Sequence, residues 1–385
     1  MRILLLNHNF RDVGTYFRAM PIGEHLAGRG HQVTLITVSR QFRLFPRYTM
    51  INGVRVIEMP NLHFDKAGEG YGVLDNATRP VIALSNSVDV VHAFDHKPNV
   101  SAAALAARWR GATLIADWAD WWGGVDGINE TLAAKYPLVG RWEAAWEETQ
   151  KRQADGVVTI SSVLYRRAVE LGCPPEAVLH MPTGAAIDRI DTLPIDEARR
   201  ALNVPVDRFI MGFIGVSQTD LEIVMKAMRH TPDAWLMVIG SAKSEVRAMA
   251  LAHGVADRLW QTGEKGGRDV GMHLACANVM VMPMKDSAAN RGRLPNKLLD
   301  YLASGRAILA NPVGDVKDIV ERHACGLLVA DDEAFVSGIQ TLMANAALRT
   351  EMGVRARRAA ETEFAWPPLI DKLEAFYHGV RRDQG

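Results

Sequence analysis

The sequence predicts an α/β protein built as two doubly wound domains, each a parallel sheet covered by helices on both faces. Three observations carry this. The 385 residues are too many for one ordinary domain and suit two. Short, continuously apolar runs alternate with amphipathic segments, the pattern of strands buried on both faces. The alternation then restarts near residue 209, after a polar stretch marked by Pro194 and Pro205.

In the first half, strands are expected at 2–8, 32–38, 54–60, 89–94, 113–118, 156–161 and 177–182. Each is a short run rich in Val, Ile and Leu. Helical periodicity falls between several of them, at 17–30, 100–110, 141–153 and 163–172. The second half repeats the scheme with strands at 209–215, 235–240, 257–263, 278–284, 306–312 and 326–330. Helices are expected there at 221–230 and 245–254. The linker 183–208 divides the chain into a domain of residues 1–190 and a domain of residues 191–365. The last segment, 366–385, reads as a helix with one apolar face, which either completes the second domain or crosses back to the first.

Composition narrows the function. Forty-four basic and 44 acidic residues cancel, which argues against a general nucleic-acid binder. Cys173, Cys276 and Cys325 lie too far apart for metal spacing or a disulfide framework, so free thiols in a reducing compartment are expected. The opening MRILLLNHNF has only a four-residue apolar run before Asn7 and His8, and reads as a buried strand rather than a signal peptide. With no 18-residue apolar run, a soluble cytoplasmic protein without a transmembrane segment is expected.

Open parallel sheets bind ligands beyond the carboxyl ends of their strands. The loop after the first strand, NHNFRDVGTYFRAM, carries Gly14, which either lets backbone approach a ligand or serves an ordinary turn. It lacks G-x-G-x-x-G, so a nicotinamide-type dinucleotide is disfavoured. DVVHAFDHKPN places His92, Asp95 and His96 at a strand end, where an imidazole can serve a ligand or simply close the core. TLIADWADWWGG places Asp117 and Asp120 beside Trp118, Trp121 and Trp122. Exposed indoles beside carboxylates suit stacking on an acceptor; the bland alternative is that they fill an interface. There is no Asp-x-Asp triplet, no His/Cys cluster, no P-loop and no G-x-S-x-G. No metal or other cofactor is expected.

The stretch RGRLPNKLLDYLASGRAILANPVGDVKDIV, 291–320, is the most informative. Pro295 suits the first turn of a helix, Leu298, Leu299 and Leu302 give it an apolar face, and Gly305 ends it. A helix N-terminus attracts anions, and Arg291, Arg293 and Lys297 add charge suited to a diphosphate. Asn296 lies in the same turn. Asp300, about one and a half turns in, could accept hydrogen bonds from a ribose diol.

These residues carry a resemblance to the glycosyltransferases of family 4, which have the GT-B fold. HLAGRGHQVTLIT, VVTISSVLYRRAVELG with VLHMPTGAAID, and LPNKLLDYLASGRAILANPVGDVKDIV are the similar segments, and the likeness covers nearly the whole chain. It implies two Rossmann-like domains facing a cleft, with the terminal helix packed back on the first. It also implies a nucleoside-diphosphate sugar held mainly by the second domain, and metal-independent transfer with retained anomeric configuration.

The chain departs from the family pattern at three places. Two glutamates eight positions apart become Gly292 and Asp300. The Arg and Lys expected after the first strand of domain two are missing from FIGVSQTDLE, leaving Arg291, Arg293 and Lys297 for the phosphates. On this resemblance, Asp117 stands in place of the usual histidine after the fifth strand. On this reading Gly14, Arg291, Arg293, Asn296, Lys297 and Asp300 bind donor. Asp117 or His96 orients the acceptor or stabilises the sugar's positive charge, and Trp118, Trp121 and Trp122 lie on the acceptor side. The acceptor is a small molecule, a glycan or a lipid-linked sugar. A nucleotide-sugar 2-epimerase and a non-catalytic nucleotide-sugar binder are the alternatives.

Overall fold

A computed structural model describes the chain apart from Asp65, residues 216–217, residues 241–243 and residues 382–385, and apart from the side chains of Gln218 and Thr219. It has two compact units. The first comprises Met1–Thr183, Ser287–Arg293 and Trp366–Gly385; the second comprises Gly184–Asp286 and Leu294–Ala365.

The first unit holds eight strands: β1 (Arg2–Phe10), β2 (Gln32–Val38), β3 (Arg47–Ile51), β4 (Val54–Met59), β5 (Val90–Phe94), β6 (Thr113–Trp118), β7 (Gly156–Thr159) and β8 (Val178–His180). Their order is β3-β4-β2-β1-β5-β6-β7-β8. All neighbours are parallel except β3, which pairs antiparallel with β4 at the edge. The central strand β1 sets Leu5 opposite Leu35 on one side and His92 on the other. Because successive side chains alternate in direction, Ile3 and Leu5 enter one core layer while Leu4 and Leu6 enter the other.

The helix Trp366–Val380 closes the first of these layers with Leu369, Ile370, Leu373 and Tyr377. The Tyr377 hydroxyl lies 2.6 Å from Nδ1 of His92, and Glu374 binds both Arg29 and His31 at 2.8–2.9 Å. The terminal segment therefore belongs to the first unit.

The second unit holds β9 (Phe209–Ile214), β10 (Ala234–Ile239), β11 (Leu259–Gly263), β12 (Val279–Met282), β13 (Ala307–Ala310) and β14 (Gly326–Leu328). Their order is β11-β10-β9-β12-β13-β14, all parallel. Met211, Phe213, Leu236, Val281 and Leu309 lie in one of its core layers. The three cysteines are buried and unbridged.

The unit boundaries differ from those expected. The break falls at Thr183 rather than residue 190, and Ser287–Arg293 leaves the second unit for the first. Two hydrogen bonds fasten that excursion: Ala289 N donates to Asp126 O at 2.9 Å, and Ser161 Oγ donates to Gly292 O at 2.6 Å. A seven-residue excursion of this kind changes neither periodicity nor polarity, so the sequence pattern does not mark it.

Candidate functional site

In the first unit, the carboxyl ends of β1, β5 and β6 place His8, Asp95, His96 and the tryptophan loop at one edge of the sheet. The centre of the arrangement is Trp122. Its Nε1 donates to Asp95 Oδ1 at 2.8 Å, and the Lys97 ammonium lies 3.9 Å from its ring centre. His8 and His96 approach its ring edge-on, each at 6.1 Å. Glu147 holds the loop from beneath, accepting from Trp118 Nε1 at 2.7 Å, Trp122 N at 3.2 Å and Gly123 N at 2.8 Å.

Several buried polar atoms around Trp122 make no hydrogen bond among the described residues: His8 Nδ1, Asp95 Oδ2, both ring nitrogens of His96, and Glu143 Oε2. Asp95 also sits at φ +70°, in the left-handed region. Buried polar groups are normally satisfied, so a cluster of exceptions at a strand edge points to a ligand that satisfies them. His8 Nδ1 is 3.4 Å from Asp95 Oδ2, yet burial pushes its imidazole down to about 4 and keeps it neutral. Burial alone would raise the Glu143 carboxyl, but His96 and Lys97 beside it bring it to about 2.

Asp120 stands apart. It is half-buried, and burial together with the nearby Asp95 pushes its carboxyl up to about 7, against the pull of Arg293. An acid poised near neutrality beside unsatisfied polar groups is the expected signature of a working site.

Two expectations for this unit need correction. Asp117 has no exposed surface: Arg18 Nε donates to both its oxygens at 3.0–3.1 Å, and His92 Nε2 lies 3.2 Å away. Burial disfavours its charge, but Arg18 and His92 outweigh that and hold it below the usual carboxylate range. It is an anchor for the β6 end, not a group a sugar can touch. Trp118 is likewise wholly buried and cannot stack on an acceptor.

Trp121 is half-buried, with the Arg167 guanidinium 4.0 Å over its ring. Gly14 lies at φ +55°, and an added Cβ would collide with the Asn9 amide, which itself accepts from Thr15 N and Oγ1 at 2.8–2.9 Å. Turn geometry is therefore sufficient reason for that glycine.

In the second unit, the helix Asn296–Ser304 begins just after Pro295, which stands one position outside the first turn expected for it. Leu298, Leu299 and Leu302 are buried, and Gly305 ends the helix at φ +64°. Tyr301 fixes the helix to the end of β9, its hydroxyl accepting from Ile214 N at 2.9 Å. Lys297 Nζ lies 4.2 Å from the Phe213 ring centre, and Asn296 is exposed. Asp300 is half-buried; burial pushes its carboxyl up to about 7, with Arg189 opposing.

Asn296, Lys297 and Asp300 thus share one helix of the second unit, whereas Arg291 and Arg293 belong to the first. The loop after β9, where two family cations are missing, lies partly outside the described residues. Among the described residues, no group of three or more His, Cys, Asp or Glu side chains could hold a metal ion. Among the described residues, no helix is long and apolar enough to cross a membrane.

Comparison with known proteins identifies the family and the fold. Residues 13–184 match the glycosyl transferase 4-like domain, and residues 209–345 match the glycosyl transferases group 1 domain. A D-inositol 3-phosphate glycosyltransferase of Geodermatophilus obscurus is 26% identical over 269 residues, covering 65% of this chain and 58% of the relative. The chain thus matches little more than half the length of that relative. A GDP-mannose-dependent alpha-mannosyltransferase of Mycolicibacterium smegmatis is 23% identical over 386 residues, covering 99% and 98% of the two chains. Among solved structures, sucrose-phosphate synthase from Thermosynechococcus elongatus superposes with a TM-score of 0.78 at 18% identity over 98% of both chains. The Anabaena protein HepE, solved with UDP and glucose, gives 0.72 at 15% identity, over 98% of this chain and 99% of that one.

Proposed function

We infer, for a chain that belongs to the GT-B glycosyltransferases of the family 4 type, that it moves a sugar from a nucleoside diphosphate to an acceptor bound by the first unit. The observation that carries this reading is the ring of unsatisfied buried polar atoms around Trp122, with Asp120 poised near neutrality beside it. A hydroxyl-bearing acceptor supplies the donors and acceptors that His8, Asp95, His96 and Glu143 lack.

The donor belongs to the second unit. The free N–H groups at the start of the helix Asn296–Ser304, with Lys297, stabilise the diphosphate as it takes on charge. Asp300, once ionised, accepts the ribose hydroxyls. The fixed charges of lysine and helix dipole do the work that a divalent ion does elsewhere, so transfer proceeds without metal. Asp120, ionised, accepts a hydrogen bond from the acceptor hydroxyl and orients it. With no described side chain assigned as a covalent nucleophile, the retained configuration expected for the family is reached by same-face transfer rather than by double displacement. A 2-epimerase needs acid–base side chains at the sugar, and Gly292 supplies none.

The test is turnover with a panel of labelled nucleoside-diphosphate sugars and candidate acceptors. Transfer gives nucleoside diphosphate and a new glycoside, epimerisation gives an isomer without acceptor, and a pure binder gives no product.

A further inference from the structure

The first unit carries a second feature on the same edge of its sheet. The loop after β2 and the start of β3 expose Phe42, Leu44, Phe45 and Tyr48, the loop after β4 exposes Phe64, and Met50 is exposed farther along β3, opposite Arg55. The exposure is extreme for large apolar groups: 77% for Phe45, 81% for Phe64 and 68% for Met50. Arg40, Arg43 and Arg47 are interspersed, and residues 39–52 contain no acid. Asp65, the one acid among residues 60–66, lies outside the described residues.

The patch is held in shape. Arg43 and Asn61 exchange backbone hydrogen bonds at 2.9 and 3.0 Å, Asn61 Nδ2 donates to Ser39 O at 2.8 Å, and His63 N donates to Asn61 Oδ1 at 2.8 Å. Phe42 stacks on His63 with ring centres 6.2 Å apart. The two loops are thus tied together, and their aromatic rings are displayed rather than folded inward. Little of the cationic charge is spent internally. Among the described residues, Arg47 reaches only one carboxylate, Glu58, at 4.0 Å, and the buried Arg43 Nε has no hydrogen-bond partner.

We propose that this surface docks the protein on an anionic lipid bilayer and that the acceptor is lipid-linked. Rigidly presented aromatic rings enter the boundary between headgroups and acyl chains, while guanidinium groups meet lipid phosphates. A purely apolar patch would suit another protein equally; three arginines in the acid-free stretch 39–52 select an anionic surface. Both loops leave the carboxyl ends of their strands, the same sheet edge that carries His8, Asp95, His96 and Trp122. Docking there holds that edge beside the membrane and brings a lipid-borne acceptor to it. The identity of the acceptor rests on the transferase reading, whereas the docking does not.

Cosedimentation with vesicles decides it. The wild-type chain should pellet with equimolar phosphatidylglycerol–phosphatidylcholine vesicles and stay in solution with phosphatidylcholine alone, and raised salt should release it. Phe45→Ser with Phe64→Ser should weaken vesicle binding about tenfold or more. Arg40→Ala with Arg47→Ala should weaken it roughly 25-fold, about fivefold for each charge. These side chains are exposed, so unchanged thermal unfolding should accompany each loss. Absence of binding to anionic vesicles, equal binding to neutral ones, or variants that bind like wild type would overturn the proposal. So would a wild type that self-associates through this patch without binding vesicles. Nucleoside-diphosphate binding, read separately by thermal shift, keeps the two readings apart: vesicle binding without nucleotide binding sinks the transferase reading, and the reverse sinks only the docking surface.

Discussion

A Cβ added to Gly292 would lie 2.7 Å from the Cβ of Trp121. The position where the family commonly carries a glutamate has no room here for any side chain, because the excursion Ser287–Arg293 is pressed against the tryptophan loop. The departure from the family pattern therefore has a packing cause. Restoring the acid should not restore a family-like site. Gly292→Glu is expected to destabilise the fold by about 1–3 kcal/mol through overpacking. Denaturant unfolding measures the loss, and the near-ultraviolet signal of the displaced indole should change with it. A stable, more active variant would show that the space exists.

Asp117 and Arg18 form a buried pair, so removing the carboxylate alone leaves an uncompensated cation. Asp117→Ala should cost about 3–5 kcal/mol of stability. Any loss of turnover should follow the loss of folded protein. If the variant is fully stable yet inactive, Asp117 touches substrate after all and the positioning role is wrong.

Lys297 and Asp300 should separate by ligand. Lys297→Ala is expected to weaken both nucleoside diphosphate and inorganic diphosphate by about 1.5–3 kcal/mol, the range for a charge-assisted bond. Asp300→Asn should weaken only the nucleotide. Because the Asp300 carboxyl titrates at about 7 in the folded protein, nucleotide binding must drive off a proton below that pH. Affinity should therefore rise with pH through about 7, and the rise should vanish in Asp300→Asn. The sign for stability is opposite. The folded state keeps a proton that the unfolded chain has released, so this contribution fades as pH climbs from 3.8 to about 7. Calorimetry in buffers of differing ionisation heat reads the proton release directly.

Asp120 should govern the pH profile of transfer. Ionised, it orients the acceptor, so kcat/KM should rise as pH passes through about 7. Asp120→Asn should lower kcat by roughly 10²-fold and flatten that limb while leaving nucleotide affinity unchanged. A variant with the wild-type profile removes Asp120 from the acceptor site.

Much of this architecture was legible in the sequence, and the failures have physical reasons. Short, mainly apolar runs at β1, β2, β5, β9 and β12, separated by helical periodicity, marked strands buried on both faces. The edge strand β3 escaped notice because Arg47–Ile51 packs no continuous apolar face, and Pro46 reads as a loop. The helix Asn296–Ser304 was readable from Pro295, the leucine spacing and Gly305. Burial was not. Asp117 and Asp120 stand three residues apart, yet one is sealed by Arg18, 99 positions away, and the other is left near neutrality by burial and the nearby Asp95. Nor could spacing reveal that Arg293 and Lys297, four positions apart, belong to different compact units.

The central claim is sugar transfer from a nucleoside diphosphate without metal, and one measurement addresses it most directly. Purified protein is incubated in excess chelator with labelled nucleoside-diphosphate sugars and a membrane lipid extract as acceptor, and the products are separated and their anomeric configuration read by NMR. The account predicts release of nucleoside diphosphate with a new glycoside of retained configuration. Turnover that stops in chelator and returns with magnesium or manganese, or a sugar isomer formed with no acceptor present, would contradict it.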